Sequence, residues 1–136
     1  MINQLENNDI KTFIFAGKAI FTITNTNTGN RFTYRVRKAK DNDIYFVSVL
    51  TGSDNTSSYS FIGYIKKGFF NSSKKSRISS EATSFKVFNW FINNINKIPS
   101  IVQVLHEGSC GSCGRKLTTP ESIERGIGPE CIRLMK

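Results

Sequence analysis

The sequence predicts an α+β fold: an antiparallel sheet of four to five strands packed by one helix, followed by a C-terminal treble-clef-like zinc module. Three observations predict it. Short alternating segments with turn signals between them fill residues 19–66. One helical apolar stripe follows at 81–97. All three cysteines and the single histidine then fall within the last 31 residues. A chain of 136 residues is long enough to bury a core without disulfides. The expected division is a sheet-plus-helix domain over 1–105 and a zinc-binding module over 106–136 packed on it.

The first strand is "AIFTITNT" (19–26), where Phe21 and Ile23 share one face and Thr22 and Thr24 the other. "NTGN" supplies a turn. "RFTYRVRK" (31–38) alternates again, with Phe32, Tyr34 and Val36 on one face and Arg31, Thr33, Arg35 and Arg37 on the other. The two make a β-hairpin. "KDND" (40–43) is a second turn. "IYFVSVLT" (44–51) is apolar on both faces, as in a central strand. "GSDNTSS" (52–58) is a loop, and "YSFIGYIK" (59–66) a fourth strand. An additional strand at 12–16, "TFIFA", is a further candidate. Residues 67–80, "KGFFNSSKKSRISS", are polar, basic and Ser-rich and read as a mobile loop. In 81–97 Phe85, Phe88, Phe91, Ile92 and Ile95 recur at helical spacing. Pro99 ends that helix, and "IVQVLH" (101–106) is a last short strand.

The cysteine region has the spacing His106-x3-Cys110-x2-Cys113-x17-Cys131. The glycines and serine of "CGSCG" let the chain turn tightly enough for both thiolates to reach one ion. "TTPESIERG" (118–126) reads as a short helix with Thr119 as N-cap, Pro120 at the first helical position and Gly126 as the stop. Pro129 starts a second helix, with Cys131 in its first turn. A knuckle facing a cysteine in a helix is a treble-clef-like arrangement. His106, Cys110, Cys113 and Cys131 would give zinc a Cys3His set; if His106 is not a ligand, Glu107 or water completes it. Leu105, Leu117, Ile123, Ile127, Ile132 and Leu134 would form a small core around one structural zinc. Redox chemistry fits less well, because the Cys-x2-Cys pair lies in a Gly-rich loop outside any βαβ unit. A full ligand set leaves no open position for catalysis. No paired carboxylates, phosphate loop or Ser-His-Asp pattern is present, so an enzyme is not expected.

Charge points to anionic partners. The formal net charge is +9. Residues 11–40 hold Lys11, Lys18, Arg31, Arg35, Arg37, Lys38 and Lys40 and no acid. Lys66, Lys67, Lys74, Lys75 and Arg77 extend the basic surface. Tyr45, Tyr59 and Tyr64 would lie near the arginine face, although strands use such residues routinely as packing. An odd cysteine count suits a reducing compartment. The polar N-terminus is unlike a signal peptide. No apolar run approaches the roughly 20 residues that span a bilayer. A cytoplasmic protein without a membrane partner or small-molecule substrate is the expectation.

"RFTYRVR", "YFVSVLTGSDN", "SFIGYI", "KKSRIS", "FNWF" and "HEGSCGSCGRKLTTPESIERGIGPEC" together resemble a family of small phage, prophage and plasmid proteins. The C-terminal part is similar to a zinc-binding domain of unknown function whose pattern is C-x2-C-G-R-x-L-T-x-P-x-S-I-x-x-G-x-G-P-x-C. Every fixed position of that pattern is present, and the resemblance runs from about Lys18 to Cys131. It implies a mobile-element origin, zinc and the cytoplasm of an infected or lysogenic bacterial host. The chain also resembles small zinc-containing phage proteins that act as anti-CRISPR inhibitors of Cas9. Two expectations for function follow. One is a non-catalytic inhibitor that binds a host defence nuclease of the Cas9 type; the other is a nucleic-acid-binding accessory protein in phage recombination or replication. The first meets a long-range cost, since such nucleases are themselves basic.

Overall fold

The computed structural model describes residues 3–40, 43–52 and 58–135. Half of the expected turn at 40–43 and most of the expected loop at 52–58 lie outside the described residues. The chain runs β1 (Asn3–Gln4), α1 (Asn7–Ile14), β2 (Lys18–Asn25), β3 (Arg31–Lys38), β4 (Ile44–Leu50), β5 (Tyr59–Lys66), β6 (Phe69–Asn71), α2 (Thr83–Asn93), β7 (Val102–His106), α3 (Pro120–Arg125) and α4 (Pro129–Leu134). The seven strands form one antiparallel sheet in the order β1-β7-β2-β3-β4-β5-β6. The chain is therefore α+β as expected.

The expected four to five strands become seven. The meander β2 to β5 forms where alternation placed it. Its first turn is held by the Asn25 side chain, which accepts from the N–H groups of Asn27 and Thr28. The extra strands are short edge pieces in polar sequence: β1 pairs only with β7, and β6 only with β5. Lys67 and Gly68, with φ of 52° and 82°, make the tight turn into β6. Residues 72–80, expected to be a mobile loop, stay against the sheet. The Arg77 N–H donates to Phe61 O and the Ser76 hydroxyl to Ile62 O.

The stretch expected as a strand at 12–16 is largely the end of α1. Ile10, Phe13 and Ile14 are the buried residues of that helix. Their spacing is that of one helical face, which the alternation of Phe13 and Phe15 obscures. Two helices thus cover one face of the sheet where one was expected. Phe88 of α2 stands 4.9 Å from Tyr34 and 4.8 Å from Phe70 between ring centroids. Phe13 of α1 lies 6.4 Å from Phe21 and 5.6 Å from His106. The Tyr34 hydroxyl donates to Ser84 O at 2.7 Å, so its polar tip is satisfied inside the core.

The C-terminal segment joins the same core. Cys110, Leu117 and Ile127 are buried together with Leu5, Phe13 and Phe21. Ile123 and Ile132 are half-buried against it. Leu134, expected in this core, is 78 % exposed, because α4 ends on the surface one turn past its contacts.

Candidate metal centre and open sheet face

The sequence punctuation at the C-terminus folds as written. The Thr119 hydroxyl caps α3 by accepting from Ser122 N. Gly126 ends the helix at φ 77°, a left-handed conformation that glycine adopts without strain. Its α-carbon also leaves no room for a side chain, since a Cβ there would run into the Phe13 ring and the Leu5 side chain. These two requirements fix how α3 sits on α1. Pro129 then starts α4 and places Cys131 opposite the knuckle.

Cys110, Cys113 and Cys131 bring their sulfurs within 4.8 Å of one another, a group that could hold a metal ion. Cys110 is buried, Cys131 half-buried and Cys113 exposed. The Cys110 Sγ accepts the N–H groups of Ser112 and Gly128 at 3.4 and 3.3 Å. Burial works to raise the Cys110 thiol, but the N–H groups of Gly128, Cys113 and Ser112 outweigh it and bring the thiol down to about 7. Burial and the neighbouring Cys113 push Cys131 the other way, up to about 11. The two N–H donors thus favour a thiolate at Cys110, whose charge works against ionisation of Cys131. A divalent cation removes that opposition.

His106 does not join the three cysteines. Its side chain is fully buried under Phe13 on the helix-covered face of β7. Gly108 N–H donates to Nδ1 at 3.0 Å, and Nε2 stands 2.6 Å from Ile123 O. Nδ1 is thus an acceptor, and Nε2 carries the proton and donates it. Both nitrogens are used, and burial lowers the imidazole below its ordinary pKa despite the hydrogen bond to Ile123. The x3 spacing to Cys110 suggests a ligand, but β7 directs the ring into the core.

The second cluster is on the other side of the sheet. The ring contacts between helices and sheet all involve the first face, the one carrying Phe21, Tyr34, Tyr45, Phe70 and His106. On the opposite face the register aligns Lys18, Arg37, Phe46 and Tyr64 in one rung across β2 to β5. Ile20, Arg35, Ser48 and Phe61 form the next. The Arg35 guanidinium lies 4.6 Å over the Tyr59 ring, and Phe46 meets Phe61 edge-on at 6.1 Å. Phe46 is 47 % exposed. Arg31 and Arg37 are exposed as well. Burial, then the charge of Glu107, raises the Tyr59 hydroxyl. Desolvation, then Arg37, lowers Arg35. Among the described residues, neither ion pair involves a cation of this face.

The expected basic residues do not all fall together. Arg31, Arg35 and Arg37 share the open face as alternation requires. Lys66 is exposed at the end of β5 beside Phe69, which is 69 % exposed. Lys67 is in the β5–β6 turn, and Lys74, Lys75 and Arg77 are exposed along the β5 edge. Tyr59 and Tyr64 are on the arginine face. Tyr45 is not: it points to the helix side and packs on Phe15 at 5.0 Å. Phe46 and Phe61 are the members of the face that charge and tyrosine counting missed. Pairing alternate residues of β4 and β5 with those of β3 would have found them.

Residues 103–136 match a family described as "Family of unknown function (DUF6011)". No curated protein matches the chain, and neither does any solved structure. Among the described residues, no helix is long and apolar enough to cross a membrane.

Proposed function

We propose that this protein is a non-catalytic binding module whose open sheet face takes up single-stranded nucleic acid, braced by a structural zinc. The observation that carries this reading is the pairing of cations with rings on one uncovered surface. Arginines on β3 stand beside Phe46, Tyr59, Phe61 and Tyr64 on β4 and β5. Cations for phosphates next to rings for bases are what a single strand requires, and stacking tolerates any sequence. The donor set supports the metal: three sulfurs on a Cys-x2-Cys knuckle and a facing helix suit tetrahedral zinc in a treble-clef-like module. Zinc there would hold the tail's shape by fixing Cys110, Cys113 and Cys131 together, and no chemistry on a substrate is assigned to it.

A labelled 12-mer DNA or RNA titrated with the purified protein at several salt concentrations tests the reading. We expect binding whose logarithm falls linearly with log salt, at about 0.7 per phosphate neutralised. Phe61→Ala should weaken it about tenfold, the effect of losing one stacked base at roughly 1–3 kcal/mol. Absence of binding in low salt sinks the proposal.

A second reading has its own observation. An apolar groove of about 350 Å³ between α2 and the β2–β3 hairpin is lined by Phe32, Val87, Trp90 and Ile101. Exposed tryptophan in a groove is a common anchor for protein partners. Inhibition of a Cas9-type host nuclease by protein–protein contact, in a phage or other mobile-element setting, would use this side. A stable complex with Cas9 that Trp90→Ala disrupts, with cleavage blocked, would favour it over the first reading.

A further inference from the structure

Three sulfurs do not complete a tetrahedral ion. Among the described residues, the side chains grouped to hold a metal are Cys110, Cys113 and Cys131 and no histidine or carboxylate. His106 is held away with both ring nitrogens engaged. A cavity of about 420 Å³ opens beside the three cysteines. Among the described residues Glu130 is the one carboxylate that lines it, and this side chain is exposed and paired with Arg133. The cavity is far larger than an ion with one water needs, since a water takes roughly 30 Å³. Solvent reaches it, because Cys113 is exposed. Arg115 and Lys116 on its lining offset the net negative charge of a divalent metal with three thiolates.

We infer that a metal held by Cys110, Cys113 and Cys131 keeps its fourth position for a ligand from outside the fold: a monodentate nitrogen or sulfur donor of the imidazole or thiolate kind, brought by a partner through this cavity. The inference rests on the metal reading of the cysteine cluster. Zinc accepts both donors in tetrahedral sites, and a three-ligand protein set with an exchangeable fourth position is the arrangement of open rather than closed centres. In the unliganded protein water fills the position. The module would then do more than hold a shape: it would offer a coordination bond to a histidine or cysteine side chain of a binding partner.

Cobalt(II) loaded into the full chain, titrated with imidazole and separately with a small thiol, tests this. We expect saturable shifts of the visible ligand-field bands with each probe while the cobalt stays bound. X-ray absorption of the zinc form should give three sulfurs and one light ligand, becoming four sulfurs with the thiol. Glu130→Gln should leave the three-sulfur shell and both responses unchanged. Bands that do not move with either probe overturn the inference. So does an imidazole scattering pattern in the probe-free wild-type protein that His106→Gln removes. Should His106→Gln fail to fold, the wild-type scattering pattern alone decides. Protein that takes up no metal at all overturns the metal reading itself, an outcome distinct from a loaded but unresponsive centre.

Discussion

His106 carries the sharpest difference between spacing and structure. Four residues before Cys110 it has the position of a fourth ligand, yet strand alternation sends it inward beneath Phe13. Ligand spacing along a chain says nothing about which side of a strand the residue faces, and here the strand decides. The titration of this ring is therefore predictable. Its pKa lies below the ordinary 6.5 because burial opposes the charged form. The unfolded chain binds the proton more readily, so the neutral ring contributes stability above pH 6.5 that is lost as pH falls through the lower folded value. NMR of the imidazole should show the Nε2–H tautomer and a depressed midpoint in the zinc-loaded protein; a metal-shifted nitrogen resonance would contradict it. Gly126 is the other decisive residue. It was readable as a helix stop, but not as the point where α3 meets Phe13 and Leu5. Gly126→Ala should destabilise by about 2–4 kcal/mol, from positive φ and overpacking together, measured by denaturant unfolding. On the open face, Arg35→Ala removes both a cation and the cover over Tyr59. It should weaken single-strand binding and flatten its salt dependence by about one phosphate's share, with stability nearly unchanged.

Elements that advertise their ends were legible, and elements that borrow their stability were not. The strands β2 to β5 announce themselves by period-2 alternation, and α3 and α4 by proline at the first position with glycine before or after. The helix α2, shorter than the expected 81–97, shows Phe85, Phe88, Phe91 and Ile92 at helical spacing, with Ile95 just past its end. Phe88→Ala there should cost about 3–5 kcal/mol, since its ring is fully buried among Tyr34, Phe70 and Phe91, and thermal unfolding would report it. By contrast β1 and β6 are two and three residues long, too short for alternation to mark them. They become strands only because β7 and β5 present unpaired edges. The helix α1 is eight residues with a weakly marked start: Glu6 at its N-cap position makes no side-chain cap. An isolated helix of that length is marginal in water, so its form comes from packing Ile10, Phe13 and Ile14.

The molecule as a whole shares one core across the boundary expected near residue 105. Leu5 and Phe13 from the start of the chain touch the glycines of the cysteine module. Leu117 and Ile127 are buried with them. Metal removal should thus reach further than the tail. Chelation should lower the melting temperature by about 10 °C or more, and amide exchange should quicken in α1 and β1 as well as in 106–135. Loss of protection confined to the tail would mean that the two parts are energetically separate. The position of β7 carries a last consequence. Its partners are β2, which begins 84 residues earlier, and β1, where Asn3 faces His106. The meander from β2 to β6 has its pairing partners as soon as it is made. On the ribosome, β1 must wait for its sheet partner until the last strand emerges, while α1 has β2 to pack on from the start. The side of Phe13 that meets Gly111 and Gly126 is therefore the last part of the core to be covered.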